Sequence, residues 1–159
     1  VGNYTLGGSG LISRLADEIR EKRGLTYGAY SSFKTLSQPG PFTISLATKS
    51  SQAKLALKVA FDTLNTFLEN GPSQVELDQA KQYLIGSFPL KLSSNKSLGL
   101  TLLNIAFYQL PLDYINTYLS NIKQVEREEI KDAFNKTINK DKLITITVGK
   151  KLGLDNEST

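Results

Sequence analysis

The chain has 159 residues, 40% hydrophobic and 21% charged, values that exclude a disordered class and suit one domain with a real core. Its net charge of +4 is scattered, and acids interleave with the basic residues at Arg20–Arg23 and at 136–151. A nucleic-acid surface needs a denser cation stripe with aromatics set in it, and a bilayer span needs a longer apolar run, so neither partner is expected. There is no Cys and no His, which removes disulfides, thiolate chemistry, the usual serine triad and most zinc sites.

The opening VGNYTLGGSG reads as the last turns of a helix that ends in glycines, as expected of a fragment or a processed product. Ser9 is the expected N-cap of the next helix. Leu11, Leu15 and Ile19, with Ile12 beside them, form its apolar face, and Glu18–Lys22 is a favourable i,i+4 pair outside. Gly24 suits the left-handed position after the helix, and Leu25 can fold back on the last turn.

Two strands follow, LTYGAYSSF (25–33) and PFTISLAT (41–48), with Phe42, Ile44 and Leu46 at period two in the second. The Pro- and Gly-bearing link between them predicts an antiparallel hairpin. A helix over 51–70 carries the stripe Ala53, Leu57, Phe61, Leu64 and Leu68, and Gly71-Pro72 stops it. Ser73 and Glu76 form a capping box that opens a helix with Leu77, Ala80, Leu84 and Phe88 inward, ended or kinked by Pro89. Helices are predicted over 98–109 (Leu98, Leu102, Ile105 and Ala106 inward), around 114–119 and over 126–138. The last strand is KLITITVG (142–149), and 151–159 reads as a frayed, disordered tail. Segregated strands and helices predict an α+β fold, an antiparallel sheet with helices on one face. Three strands are too thin a sheet for that much apolar helix, so further strands are expected from sequence before Val1.

Gly8-Ser-Gly10-Leu-Ile-Ser13 is a partial phosphate-loop pattern, but no strand leads in and no βαβ unit follows. It reads as a turn between helices, or as a glycine loop that meets an extended peptide through its backbone. Glu21, Lys22 and Arg23 read as a solvated helix end. Arg20 lies at the edge of the buried stripe, and Tyr27 follows a tight turn. The residues alone leave two readings of this pair: surface arginine and core aromatic, or two groups held at one corner for chemistry. No Ser or Thr has an activating base marked beside it.

The stretch NYTLGGSGLISRLADEIREKRGLTYGAYSSF (3–33) closely resembles the second-domain signature of the M16 zinc peptidases, the pitrilysin and mitochondrial processing peptidase family. Its Gly-rich turn, Ser-Arg-Leu helix and R-E-K-R-G-L-x-Y corner carry the resemblance, and the hairpin, GPSQVELDQAKQYLIGSF and LITITVG extend it to about 3–149. The resemblance implies an M16 C-terminal-type domain over 1–150, half of a clamshell of two related modules. One module carries zinc on an H-x-x-E-H motif, and the other reaches the substrate with an Arg and a Tyr. Those positions here are Arg20 and Tyr27, with Tyr27 donating to the oxyanion and Arg20, Gly7 and Gly8 holding the peptide. A phenol suits that task because it keeps its proton at neutral pH, and a guanidinium offers several fixed donors. The zinc is then expected on another domain or a partner subunit, in a heterodimer of an extracytoplasmic bacterial kind. The alternative the resemblance offers is a non-catalytic subunit that pairs with an active one. With no His to ligate zinc, the isolated 159-residue chain is expected to cleave no peptide and to purify without metal. Stoichiometric zinc by elemental analysis would overturn that expectation.

Overall fold

The computed structural model describes residues 1–149, so the tail expected at 151–159 lies outside the described residues. Tyr4–Gly8 winds as a π-helical turn closed by Ser9 N–H to the Tyr4 carbonyl at 3.1 Å, and Gly10–Ile12 adds one 3-10 turn. Ser13 then turns extended, at φ −80° and ψ 157°, and its Oγ accepts from Ala16 N–H at 3.3 Å while donating to the Gly10 carbonyl at 2.7 Å. The cap is therefore Ser13, not Ser9, and the helix starts as α1 (Arg14–Ala16), which runs into a π-helical turn over Asp17–Glu21. Leu15 and Ile19 are buried as expected, but Leu11 and Ile12 are exposed, Ile12 by 77%. They belong to the 3-10 turn before the cap and are out of phase with the helix behind it.

The helix ends as the sequence predicts. Gly24 sits at φ +60°, its N–H reaches the Arg20 carbonyl at 2.8 Å, and Leu25 N–H reaches the Ile19 carbonyl at 2.9 Å. That bond pattern carries the Leu25 side chain back into the core. The hairpin strands are β1 (Ala29–Thr35) and β2 (Pro39–Leu46), antiparallel in the register Ala29↔Leu46, Ser31↔Ile44 and Phe33↔Phe42. Ladder pairing begins at Ala29 rather than Leu25, which leaves Tyr27 on a lead-in loop instead of the core face.

The inner face of β1 is small, Ala29 and Ser31, because the first helical turn lies directly on it. Asn3 clamps that contact: its Nδ2 donates to the Ser31 carbonyl at 3.0 Å and its Oδ1 accepts from Ser31 Oγ at 2.7 Å. Gly7 is buried there, and a Cβ on it would press into the Ser31 backbone nitrogen.

Behind the hairpin lie α2 (Ala53–Asn70), α3 (Gln74–Ser87), α4 (Asn95–Phe107), α5 (Tyr114–Gln124) and α6 (Arg127–Thr137). The buried stripe of α2 is Ala56, Val59, Ala60, Thr63, Leu64, Phe67 and Leu68, rotated from the predicted one so that Phe61 falls at its edge and Phe67 at its centre. Phe67 is fully buried and meets the Phe134 ring of α6 at 4.9 Å, and Phe134 also meets Phe33 at 5.4 Å. Burying one such ring stabilises the fold by about 1.5–3 kcal/mol. The Ser73–Glu76 capping box of α3 forms as predicted, and a 3-10 turn over Phe88–Leu92 follows α3 at Pro89.

Two expectations change. Of the residues predicted inward on α4, only Ile105 is buried, and Leu98, Leu102 and Ala106 are exposed. The segment 142–149 forms no strand: Ile144, Ile146 and Val148 are all more than four-fifths exposed, at 87%, 83% and 97%. A strand exists only as a member of a ladder, and among the described residues the sheet has two strands, ordered β1-β2. The α+β character and the helices behind an antiparallel hairpin stand as expected.

Gly7→Ala is expected to destabilise the domain by about 1–3 kcal/mol through overpacking against Ser31. Gly86, inside α3 with open space around its Cα, is the control: Gly86→Ala is expected to be neutral or to stabilise by up to about 1 kcal/mol. Denaturant midpoints of the two variants check the pair, and equal shifts would contradict the close contact.

Candidate functional site

Arg20 sits on the last turn of the π-helical stretch, one glycine corner before Tyr27. The neighbouring cations are already paired. Lys22 Nζ lies 2.9 Å from Asp17 and 2.6 Å from Glu18, and Arg23 Nη1 lies 2.6 Å from the Glu18 carboxylate. Hydrogen bonds from Lys22, and then from Arg23, hold the Glu18 carboxyl below its ordinary range. The Arg20 guanidinium, 31% exposed, has a looser partner, Glu21 at 3.4 Å. A guanidinium has five N–H donors in a fixed fork, so this one keeps donors free for an incoming carbonyl or carboxylate.

Tyr27 is 92% exposed, so the core-aromatic reading of this residue falls. Its loop, by contrast, is held from both sides. Leu25 is buried, and its carbonyl accepts from Thr48 Oγ1 at 2.5 Å. Thr26 Oγ1 lies 2.8 Å from the Gly28 carbonyl and 2.7 Å from the Ala47 carbonyl, and accepts from Gly28 N–H at 3.2 Å. Tyr30 lies alongside: a Cβ on Gly28 would stand 2.6 Å from its phenol oxygen. Thr26, Thr48 and Tyr30 were not legible as site residues, because a threonine beside a strand is ordinary until its partners are known.

Gly7 and Gly8 part company in the structure. Gly7 is buried, and its lack of a side chain is accounted for by Ser31. Gly8 is exposed, with Asn3 beside it.

The helix that carries Arg20 is anchored at its other end. Arg14 grips Glu76 with two bonds, Nε to Oε1 at 2.9 Å and Nη2 to Oε2 at 2.5 Å, and its guanidinium carbon lies 5.0 Å from the Phe67 ring centroid. Glu76 also accepts from the Ser73 N–H at 2.7 Å. One carboxylate thus caps α3 and ties α1 to it. Burial alone pushes the Glu76 carboxyl up, but the bonds from Arg14 and from Ser73 outweigh it and hold the group below its ordinary range.

Among the described residues no group of three or more His, Cys, Asp or Glu side chains could hold a metal ion, and no helix is long and apolar enough to cross a membrane. The side chains of this corner, a phenol, a guanidinium and hydroxyls, do not fit zinc. Two surface hollows are of about 630 and 690 Å³; the larger borders the same helix at Glu18, Glu21 and Lys22, but neither is lined by Arg20 or Tyr27. The corner is open to solvent.

Comparison with known proteins fits this architecture. A family model described as the peptidase M16 inactive domain matches residues 1–84, more than half of the chain, and the chain belongs to that family. A non-peptidase homolog, YmxG, of Helicobacter pylori is 35% identical over 133 residues, covering 81% of this chain and 30% of that protein. An uncharacterized zinc protease, also called YmxG, of Bacillus subtilis is 35% identical over 95 residues, covering 60% of this chain and 23% of its own length. The crystal structure of a peptidase M16 inactive domain from Pseudomonas fluorescens superposes with a TM-score of 0.83 at 42% identity, covering 89% of this chain and 34% of that one. The chain therefore spans about a third or less of each of these proteins.

Glu76→Gln is expected to destabilise the domain by roughly 1–3 kcal/mol at neutral pH, since it leaves Arg14 without its charged acceptor. The folded carboxyl titrates below its unfolded value, so its contribution is present above the ordinary carboxylate pKa of about 4.3 and is lost as pH falls through the lower folded value. The stability gap between wild type and variant should therefore close on acidification, as read by denaturant titrations at pH 7, 5 and 3. A gap that stayed constant would break the link to this ion pair.

Proposed function

We propose that this chain is the substrate-engaging, oxyanion-stabilising C-terminal domain of a zinc-dependent M16 peptidase, with the metal carried by another module or a partner subunit. The observation that carries this reading is the contrast at Tyr27. Its phenol is 92% exposed, yet the backbone on either side of it is held, at buried Leu25 by the Thr48 hydroxyl and at Gly28 by the Thr26 hydroxyl. A held backbone with an unpacked side chain leaves the phenol available to act on something outside the chain.

The chemistry follows from the groups present. Tyr27 Oη is a neutral donor suited to the negative charge that develops on a peptide carbonyl during hydrolysis. Arg20 is suited to hold a backbone carbonyl or carboxylate of the same peptide by a forked contact. The exposed backbone of Gly8 offers a further contact to an extended chain. Such donors gain strength only when water is excluded, and an open corner excludes none by itself. An opposing surface must close over it. The M16 resemblance supplies that surface as a zinc-bearing domain or subunit, and activation of the attacking water is its task, since the groups here do not fit zinc.

One finding favours a second reading. The Helicobacter pylori relative is named a non-peptidase homolog, so a pairing or scaffolding subunit of the same fold is the alternative. An H-x-x-E-H motif elsewhere in the full-length gene product favours the single-chain peptidase. Its absence there, with the motif on a neighbouring gene, favours a heterodimer.

In the complete, zinc-loaded assembly, Tyr27→Phe is expected to lower turnover of a fluorogenic peptide about 10²–10³-fold, the cost of one oxyanion donor. The melting temperature should not move, because the hydroxyl touches solvent. Near-wild-type turnover would remove Tyr27 from the mechanism and leave the scaffolding reading.

A further inference from the structure

A side chain that is 92% exposed receives no orientation from packing. Whatever aims the Tyr27 phenol must act through its backbone. The geometry points to Thr26 as the residue that positions Tyr27, an inference that rests on the oxyanion reading and deepens it.

The hydroxyl of Thr26 closes a small ring around the Tyr27 backbone. Both of its contacts within the loop go to Gly28, the residue just past Tyr27: it accepts from Gly28 N–H at 3.2 Å and lies 2.8 Å from the Gly28 carbonyl. Residues 26 and 28 are thereby tied together with Tyr27 as the only residue between them. The third contact, 2.7 Å from the Ala47 carbonyl, anchors this ring to the chain leaving β2. Its single proton goes to one of the two carbonyls at a time, while the bond it accepts from Gly28 N–H spans Tyr27 whichever way it turns.

Gly28 gives the ring its purpose. A glycine fixes its own backbone less than any other residue, so an unrestrained Tyr27-Gly28 step would let the phenol sweep a wide arc. The adjacent supports do not reach it: Thr48 holds Leu25, before Thr26, and regular pairing starts only at Ala29. Between those two fixed points the Thr26 hydroxyl is the restraint that spans Tyr27. A valine has the same shape without the hydroxyl, and a serine keeps the hydroxyl without the methyl, so the two substitutions separate shape from bonding.

The test uses the full-length protein assembled with its zinc-bearing module. Thr26→Val is expected to lower kcat about tenfold, on the order of one lost hydrogen-bond restraint, with KM nearly unchanged. Thr26→Ser should recover most of the rate. Because Thr26 acts through the phenol, Thr26→Val added to Tyr27→Phe should cost no further rate, whereas a merely structural role would add. A second readout is independent of activity: amide hydrogen exchange at Gly28 should quicken in Thr26→Val and stay as in wild type in Tyr27→Phe. Thr26→Ala reads the same way if the valine variant does not fold. Wild-type kcat in the valine variant, additive losses in the double variant, or unchanged Gly28 exchange would each overturn the inference. If Tyr27→Phe alone keeps full turnover, the oxyanion reading falls, and Gly28 exchange then decides by itself whether Thr26 closes the loop.

Discussion

The left-handed turn at Gly24 is the constraint on which the corner depends. Its φ of +60° reverses the chain directly after the helix, so Arg20 and Tyr27 flank one tight turn rather than a long loop. The bond from Leu25 N–H to the Ile19 carbonyl then drives Leu25 into the core, which fixes the turn to the body of the protein. A Cβ at Gly24 would meet no atom; what the position demands is the backbone angle. An L-residue held in that region pays steric strain of about 1 kcal/mol or more.

From that turn the support spreads in two directions. Toward the N-terminus, Arg14 ties the start of the helix to Glu76 at the cap of α3 and lies over Phe67 of α2. Toward the C-terminus, Thr26 and Thr48 tie the lead-in loop to the strand ends. The Arg14–Glu76 ion pair keeps some contact with water, its side chains 17% and 27% exposed, so its value lies as much in geometry as in stability. On the proposed reading the corner presents donors without being packed over, and these contacts would hold it from beneath.

The rest of the molecule is less closed. α4 buries Ile105 while Leu100, Leu103 and Phe107 face solvent, and the segment 143–148 leaves its Ile and Val side chains bare. These apolar faces have no partner among the described residues. They contrast with the aromatic cluster in which Phe33 and Phe42 pack on the buried Phe67 and Phe134 of the core.

Local chemistry made much of this legible in the sequence. The Schellman end at Gly24-Leu25, the Ser73–Glu76 capping box, the hairpin with its inward Phe42, Ile44 and Leu46, and the stop at Gly71-Pro72 each depend on residues a few positions apart. The helix phases did not follow so directly. Ser9 reads as the cap, and only the folded chain shows that the Ser13 hydroxyl is the one that finds a helical N–H. On α2, the shift of the buried stripe from the predicted Phe61 to Phe67 follows where α6 brings Phe134. The 142–149 segment has every strand propensity, but pairing is a relation between chains of backbone, and propensity cannot supply a neighbour. The sequence by itself determined the corner, its glycine, and the presence there of a guanidinium and a phenol. Only the tertiary structure decided that the phenol stands outside the core and that Thr26, Thr48 and Arg14 hold the corner rigid, because those roles arise from hydrogen bonds and packing that distant segments complete.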